Sequence, residues 1–161
     1  MTIAPTLRRY LDRQHAVYEI IEHPPTLSSA QTAEVAHIPS SCLAKAVLLD
    51  LPQPAHEHLL AVLSADRRID LEDLETELDR KPELADEEEI VAVFADCAPG
   101  AVPVGFGYHL PMIVDDFLAR EPDLFFEAGD HRTLIHMEQA EFHRLSAHAR
   151  HGSFGVPVLI E

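Results

Sequence analysis

The hydrophobic and polar positions of this chain change period along its length, and those changes divide it into elements. Leu7, Tyr10 and Leu11 recur at helical spacing and predict a short amphipathic helix over 5–14. "AVYEII" (16–21) alternates through Val17, Glu19 and Ile21, as a strand does. "HPPTLSSAQTAEVAHIP" then opens on an extended diproline. Ser28 with Gln31 three residues on has capping-box spacing and starts a helix, which Pro39 ends. Residues 44–51 and 58–65 read as two strands joined by the hairpin loop "PQPAHE". Asp70 caps a helix running to about 80, and Asp86 caps a shorter one.

"GAVPVGFGYHLP" (100–111) reads as a shaped loop, because glycine and proline punctuate it. A short strand, "MIVDD" (112–116), comes next. Strands over 124–128 and 132–137 then meet at Gly129-Asp130, a turn-type pair. A closing helix over 138–149 is expected, with 152–161 as a tail or a docked edge strand. Strands interspersed with helices, without regular alternation, predict an α+β fold with a mixed sheet.

A length of 161 residues fits one domain, which at this size buries about 70% of the unfolded chain's surface. No apolar run approaches the ~20 residues of a membrane span. The N-terminus lacks the apolar core of a signal peptide, and two cysteines without a CxxC make no disulfide framework. A reduced, cytoplasmic protein is expected. The formal net charge of −16 argues against a general nucleic-acid coat, including one for DNA, but not against a small local basic site. Much of the acid sits in "DLEDLETELD" (70–79) and "DEEE" (86–89), which read as solvated helix faces. No glycine-rich phosphate fingerprint follows a strand, so a nucleotide cofactor is not expected.

The candidate chemistry begins at Lys45, one of only two lysines in the chain with Lys81. Strand alternation puts Lys45, Val47, Leu49 and Leu51 on one face. Lys45 opens the strand, so its stem can lie over apolar surface while its ammonium reaches a cleft rim as a point charge suited to phosphate. By strand position alone, an edge lysine with no such role is the plainer reading. In Gly100–Gly105 the glycines allow close approach to a ligand and proline stiffens the loop. A tight connection is the plainer reading. His131 stands beside a turn glycine, where it could line a pocket mouth. Asp115-Asp116 ends a strand, where it caps the next helix or orients the glycine loop. His56 and His58, like His143, His148 and His151, match no metal-ligand spacing and read as scattered surface residues. No GxSxG or cysteine–histidine signature supplies a nucleophile.

The ordered series "EHPPTLSSAQTAEVAHIP", "LAKAVLL", "LAVLSADRRIDLEDLETEL", "CAPGAVPVG", "LPMIVDD" and "FFEAGDHRTLIHM" resembles the YbaK-type aminoacyl-tRNA deacylases. These are related to the editing domain of bacterial prolyl-tRNA synthetase, and the resemblance covers residues 15–146. It implies a mixed, barrel-like β-sheet flanked by helices, with no metal or other cofactor. It implies a hydrolase that cleaves the ester of mischarged aminoacyl-tRNA, with Ala-tRNA(Pro) or Cys-tRNA(Pro) as the expected substrate. The partners would be the tRNA acceptor end and prolyl-tRNA synthetase. Lys45 would hold a phosphate, and Gly100 and Pro103 would belong to the loop that approaches the aminoacyl group. Val47, Val102, Val104, Gly105, Asp115, Gly129 and His131 are the further expected substrate contacts. Water attack would be assisted by backbone groups and the tRNA's own ribose hydroxyl. The loop "GAVPVG" is one residue shorter than the family pattern, which keeps open a binding module without hydrolysis. A metal-dependent hydrolase built on the histidines is the third reading.

Overall fold

A computed structural model describes residues 3–158. Its helices are α1 (Pro5–Arg13), α2 (Ser29–Val35), α3 (Leu71–Leu78), α4 (Glu87–Val93) and α5 (Gln139–Leu145). Its strands are β1 (Glu19–Glu22), β2 (Leu43–Leu51), β3 (Glu57–Ser64), β4 (Arg67–Ile69), β5 (Glu83–Leu84), β6 (Met112–Asp115), β7 (Asp123–Glu127), β8 (Thr133–Glu138), β9 (Arg150–Gly152) and β10 (Gly155–Pro157). The main sheet runs β1-β8-β7-β2-β3-β6-β9, with β5 also paired to β2. Parallel and antiparallel ladders mix, as the α+β reading requires.

The expected helix starts are present. Ser28 accepts from the Gln31 N–H, and Asp70 accepts from the Asp73 N–H. Asp86 and Glu89 form a full capping box. Gln31 returns its side-chain oxygen to the Leu27 N–H, one residue before the cap.

Two helices end earlier than their sequence pattern predicts. α2 stops at Val35 because His37 turns left-handed (φ 57°) and the Ile38 N–H bonds back to Ala33, a helix-ending geometry. α5 stops at Leu145, whose carbonyl accepts from the Tyr10 hydroxyl of α1 at 3.0 Å. Part of the C-terminal segment docks as strands: β9 pairs with β6, and β10 pairs with β4. The final residues of the expected tail, 159–161, lie outside the described residues.

The sheet is covered on both faces. Val47, Leu49 and Leu51 pack with Leu74 and Leu78 of α3 and with Phe154. Ala44, Ala46 and Leu48 point the other way, into a cluster with Leu7 and Leu11 of α1 and Phe142 of α5. The alternation read along β2 is therefore the alternation that separates the two cores.

Candidate active site

β2 has an interrupted edge. On one side it pairs with β3 along its whole length, from Ala44–Ser64 to Leu51–Glu57. On the other it meets β7 only at Leu43 and Ala44, and β5 only at Leu49 and Asp50. Between those neighbours, residues 45–48 face a gap. The Leu48 carbonyl points to this side, where it accepts from the Ala85 N–H at 3.1 Å. In an antiparallel ladder, alternate residues turn both main-chain groups the same way. Ala46 therefore also directs its N–H and C=O into the gap.

A cleft of about 520 Å³ opens there, within the size range of small-molecule sites. β2 contributes Lys45 and Val47, α4 contributes Ile90 and Val91, the glycine loop contributes Gly100 and Val102, and β7 contributes Glu127. The lining is largely apolar with a few charged groups.

Lys45 is half-buried, and burial pushes its ammonium down from the ordinary lysine range; Asp66 opposes this only in part. Among the described residues no carboxylate lies within ion-pair distance of Lys45. A desolvated, unpaired cation at a cleft rim is poised for an anionic ligand.

The glycine loop is held from the β7–β8 turn. The Ala98 N–H donates to the Gly129 carbonyl at 2.7 Å, and His131 Nε2 bonds the Pro99 carbonyl. Gly100 has φ 82°, and a Cβ there would meet the His131 ring at 3.2 Å. The backbone conformation favours glycine here, and a Cβ would also crowd the His131 ring. The Ala101 N–H is engaged by Ala98, whereas the Gly100 and Val102 N–H groups have no acceptor among the described residues.

Sequence reasoning missed Glu127. Its Oε2 is buried without a hydrogen-bond partner, and Oε1 has only a long 3.5 Å contact from Thr32. Burial raises this carboxyl above its usual range, and the nearby His23 and His131 counter only part of the rise. His23 Nε2 is also buried and unpartnered. The residue occurs in "FFEAGDH", where strand alternation gave no reason to prefer Glu127 to any half-buried acid. Its place beside β2 depends on the β7–β2 pairing.

Four expected contacts lie elsewhere, and Pro103 is buried behind the cleft wall. Val104 is fully buried in the α1/α5 core. Gly105 packs against Leu60 and Met112, and Gly129 against Ala4 and Cys97. Asp115 is fully buried and its carboxylate accepts from the N–H groups of Phe154, Gly155 and Phe117. It therefore anchors the C-terminal segment and does not reach the glycine loop. The cysteines offer no ready nucleophile, since burial pushes both Cys42 and Cys97 up to about 11. His56 and His58, expected to be scattered, instead meet Asp50 and Glu89 outside the cleft lining. Among the described residues no helix is long and apolar enough to cross a membrane.

Residues 23–145 match the family described as the aminoacyl-tRNA editing domain. No curated protein sequence matches the chain. A solved structure described as a proposed trans-editing enzyme for prolyl tRNA synthetase aligns with a TM-score of 0.78 at 21% identity, covering 96% of this chain and 99% of that one. A hypothetical protein aligns with a TM-score of 0.80 at 16% identity over 94% and 99% of the two chains. A scaffold protein bearing a designed epitope graft aligns with a TM-score of 0.78 at 20% identity over 97% and 100%. Identities this low speak for the fold alone.

Proposed function

The chain belongs to the aminoacyl-tRNA editing domain family, and from that premise we propose that it hydrolyses the ester of mischarged tRNA(Pro) carrying alanine or cysteine. The observation that carries this reading is the cleft at the open edge of β2. It joins an unpaired lysine, a glycine loop with a left-handed turn at Gly100 and free main-chain donors, without a side-chain nucleophile.

In this reading Lys45 Nζ holds a phosphate near the acceptor end. The Gly100 and Val102 N–H groups face the ester carbonyl and stabilise the oxyanion that forms when water adds to it. The free hydroxyl of the terminal ribose relays the proton, accepting it from the attacking water and passing its own to the neighbouring ribose oxygen. The tetrahedral carbon expels that oxygen as it is protonated, leaving free amino acid and intact tRNA. Glu127 faces the α-ammonium of the aminoacyl group, whose charge favours ionisation of the buried carboxyl. Pro103, buried behind Val102, stiffens the loop. Apolar walls from Val47, Ile90 and Val102 limit side-chain size, which is how a second hydrolytic site corrects a synthetase that separates similar side chains by only ~1–3 kcal/mol.

The reading assigns no metal to the chemistry, and hydrolysis should survive chelation. Few phosphate contacts on a chain of net charge −16 imply weak, salt-sensitive binding of tRNA, assisted by prolyl-tRNA synthetase in the cytoplasm.

The test is release of amino acid from Ala-tRNA(Pro) and Cys-tRNA(Pro), with correctly charged Pro-tRNA(Pro) as control. Selective hydrolysis of either mischarged species is the expected result. No release from either, with enzyme in excess over tRNA, would overturn the reading. The loop "GAVPVG", one residue short of the family pattern, favours a second reading as a binding module. Retention of tRNA without turnover would identify it.

A further inference from the structure

Outside the cleft, the β2–β3 hairpin and α4 bring together Asp50, His56, His58 and Glu89. One ligand atom from each lies within 4.8 Å of the others. His56 Nε2 and His58 Nε2 are each 3.1 Å from Asp50 Oδ1, and His58 Nε2 is 3.0 Å from Glu89 Oε2. A tetrahedral zinc with bonds of about 2.0–2.1 Å separates its ligand atoms by about 3.3 Å. Three of the separations are thus already near those of a closed site. Two borderline imidazoles suit zinc, which also accepts carboxylate oxygen, and the two carboxylates would neutralise its charge.

The second observation is that all four ligands sit on elements braced by contacts made outside the cluster. Glu89 uses Oε1 to accept from the Asp86 N–H in the capping box, which leaves Oε2 for the cluster. Asp50 and His58 are opposite partners in the β2–β3 ladder. The loop that carries His56 is tied down by Arg80, whose guanidinium donates to the carbonyls of Gln53, Ala55 and Leu51 at 2.8, 2.8 and 3.2 Å. The Asp50 side chain is 14% exposed, whereas that of His56 is 58% exposed and gives an entry path.

We propose that Asp50 Oδ1, His56 Nε2, His58 Nε2 and Glu89 Oε2 form a structural zinc site that fastens α4 to the β2–β3 hairpin. Zinc binds deprotonated ligands, so binding releases protons to solvent and leaves the residues covalently unchanged. The consequence falls on the cleft wall. No α4 residue is fully buried, yet Glu87, Ile90 and Val91 line the cleft. A bond from Glu89 to the hairpin would hold that wall in place. The site is separate from the deacylase reading, and its test does not depend on activity.

The experiment uses untagged, chelator-treated full-length protein titrated with ZnCl2 by calorimetry and with CoCl2 by visible absorption. The expected result is one Zn2+ per chain and the intense visible spectrum of four-coordinate Co2+. Zinc should also slow amide exchange over residues 87–93. His56→Ala and His58→Ala should each weaken zinc at least about tenfold, and the double variant at least about a hundredfold, as loss of inner ligands requires. Glu89→Gln keeps a cap acceptor and should abolish the slowed exchange. His143→Ala with His148→Ala should leave zinc binding unchanged. A Kd weaker than about 100 µM, an octahedral Co2+ spectrum, or binding indifferent to His56 and His58 overturns the proposal.

Discussion

Lys45→Met is the most informative substitution, because methionine keeps an unbranched apolar stem and removes only the charge. The ammonium is half-buried and has no ion-pair partner among the described residues. A phosphate at 4 Å in surroundings of effective dielectric ~20 attracts it by about 4 kcal/mol before desolvation is subtracted. Net hydrogen bonds to charged groups are worth about 1.5–3 kcal/mol. Taking about 2–3 kcal/mol as the loss, kcat/KM should fall roughly 30- to 150-fold. The contact exists before the transition state, so most of the loss should appear as a raised KM. The stability effect has the opposite sign. A lysine whose pKa is lowered on folding costs stability while it is charged, at every pH below its folded value. The variant should therefore melt no lower than the parent at pH 7.5. Lys45→Arg keeps the charge and should recover part of the rate. The assay is steady-state deacylation of Ala-tRNA(Pro) or Cys-tRNA(Pro), whichever is hydrolysed, alongside thermal unfolding. A kcat/KM within about threefold of the parent would remove the phosphate contact from the mechanism.

Glu127→Gln tests the ammonium contact and its cost. A carboxyl with a raised folded pKa loses stability as pH climbs from its unfolded value through its folded one. The variant should thus gain stability over the parent at pH 7.5, with the gain fading towards pH 4, while KM for aminoacyl-tRNA rises; equal pH–stability curves would refute the assignment. Asp115→Ala strips the acceptor from three backbone N–H groups, and should cost about 3–5 kcal/mol in denaturant unfolding. A cost under about 1 kcal/mol would show that water replaces the carboxylate. With both thiols pushed up to about 11, iodoacetamide at pH 8 should modify Cys42 and Cys97 at least about a hundredfold more slowly than a free cysteine; alkylation at the free-thiol rate would contradict their burial.

What the sequence alone determined was local. Ser28, Asp70 and Asp86 each cap a helix through a hydrogen bond spanning three residues, so the start could be read from the spacing. The alternation of β2 is set by backbone geometry, and it assigned Val47, Leu49 and Leu51 to one core before any partner strand was known. The ordered motifs around Lys45 and Gly100 pointed to the editing family. Tertiary structure decided the rest. β4 and β5, three and two residues long, are too short for a period to show, and only their partners make them strands. α2 and α5 ended early because His37 left the helical region and Tyr10 took a terminal carbonyl, neither of which hydrophobic period encodes. The cleft exists because β7 and β5 meet β2 at opposite ends of one edge, and that pairing puts Glu127 and Lys45 in one cleft lining. Asp115 and the histidine pair make the same point. A side chain's chemistry is written in its own residue, but whether it faces a ligand, a buried amide or a cation depends on contacts made from far along the chain.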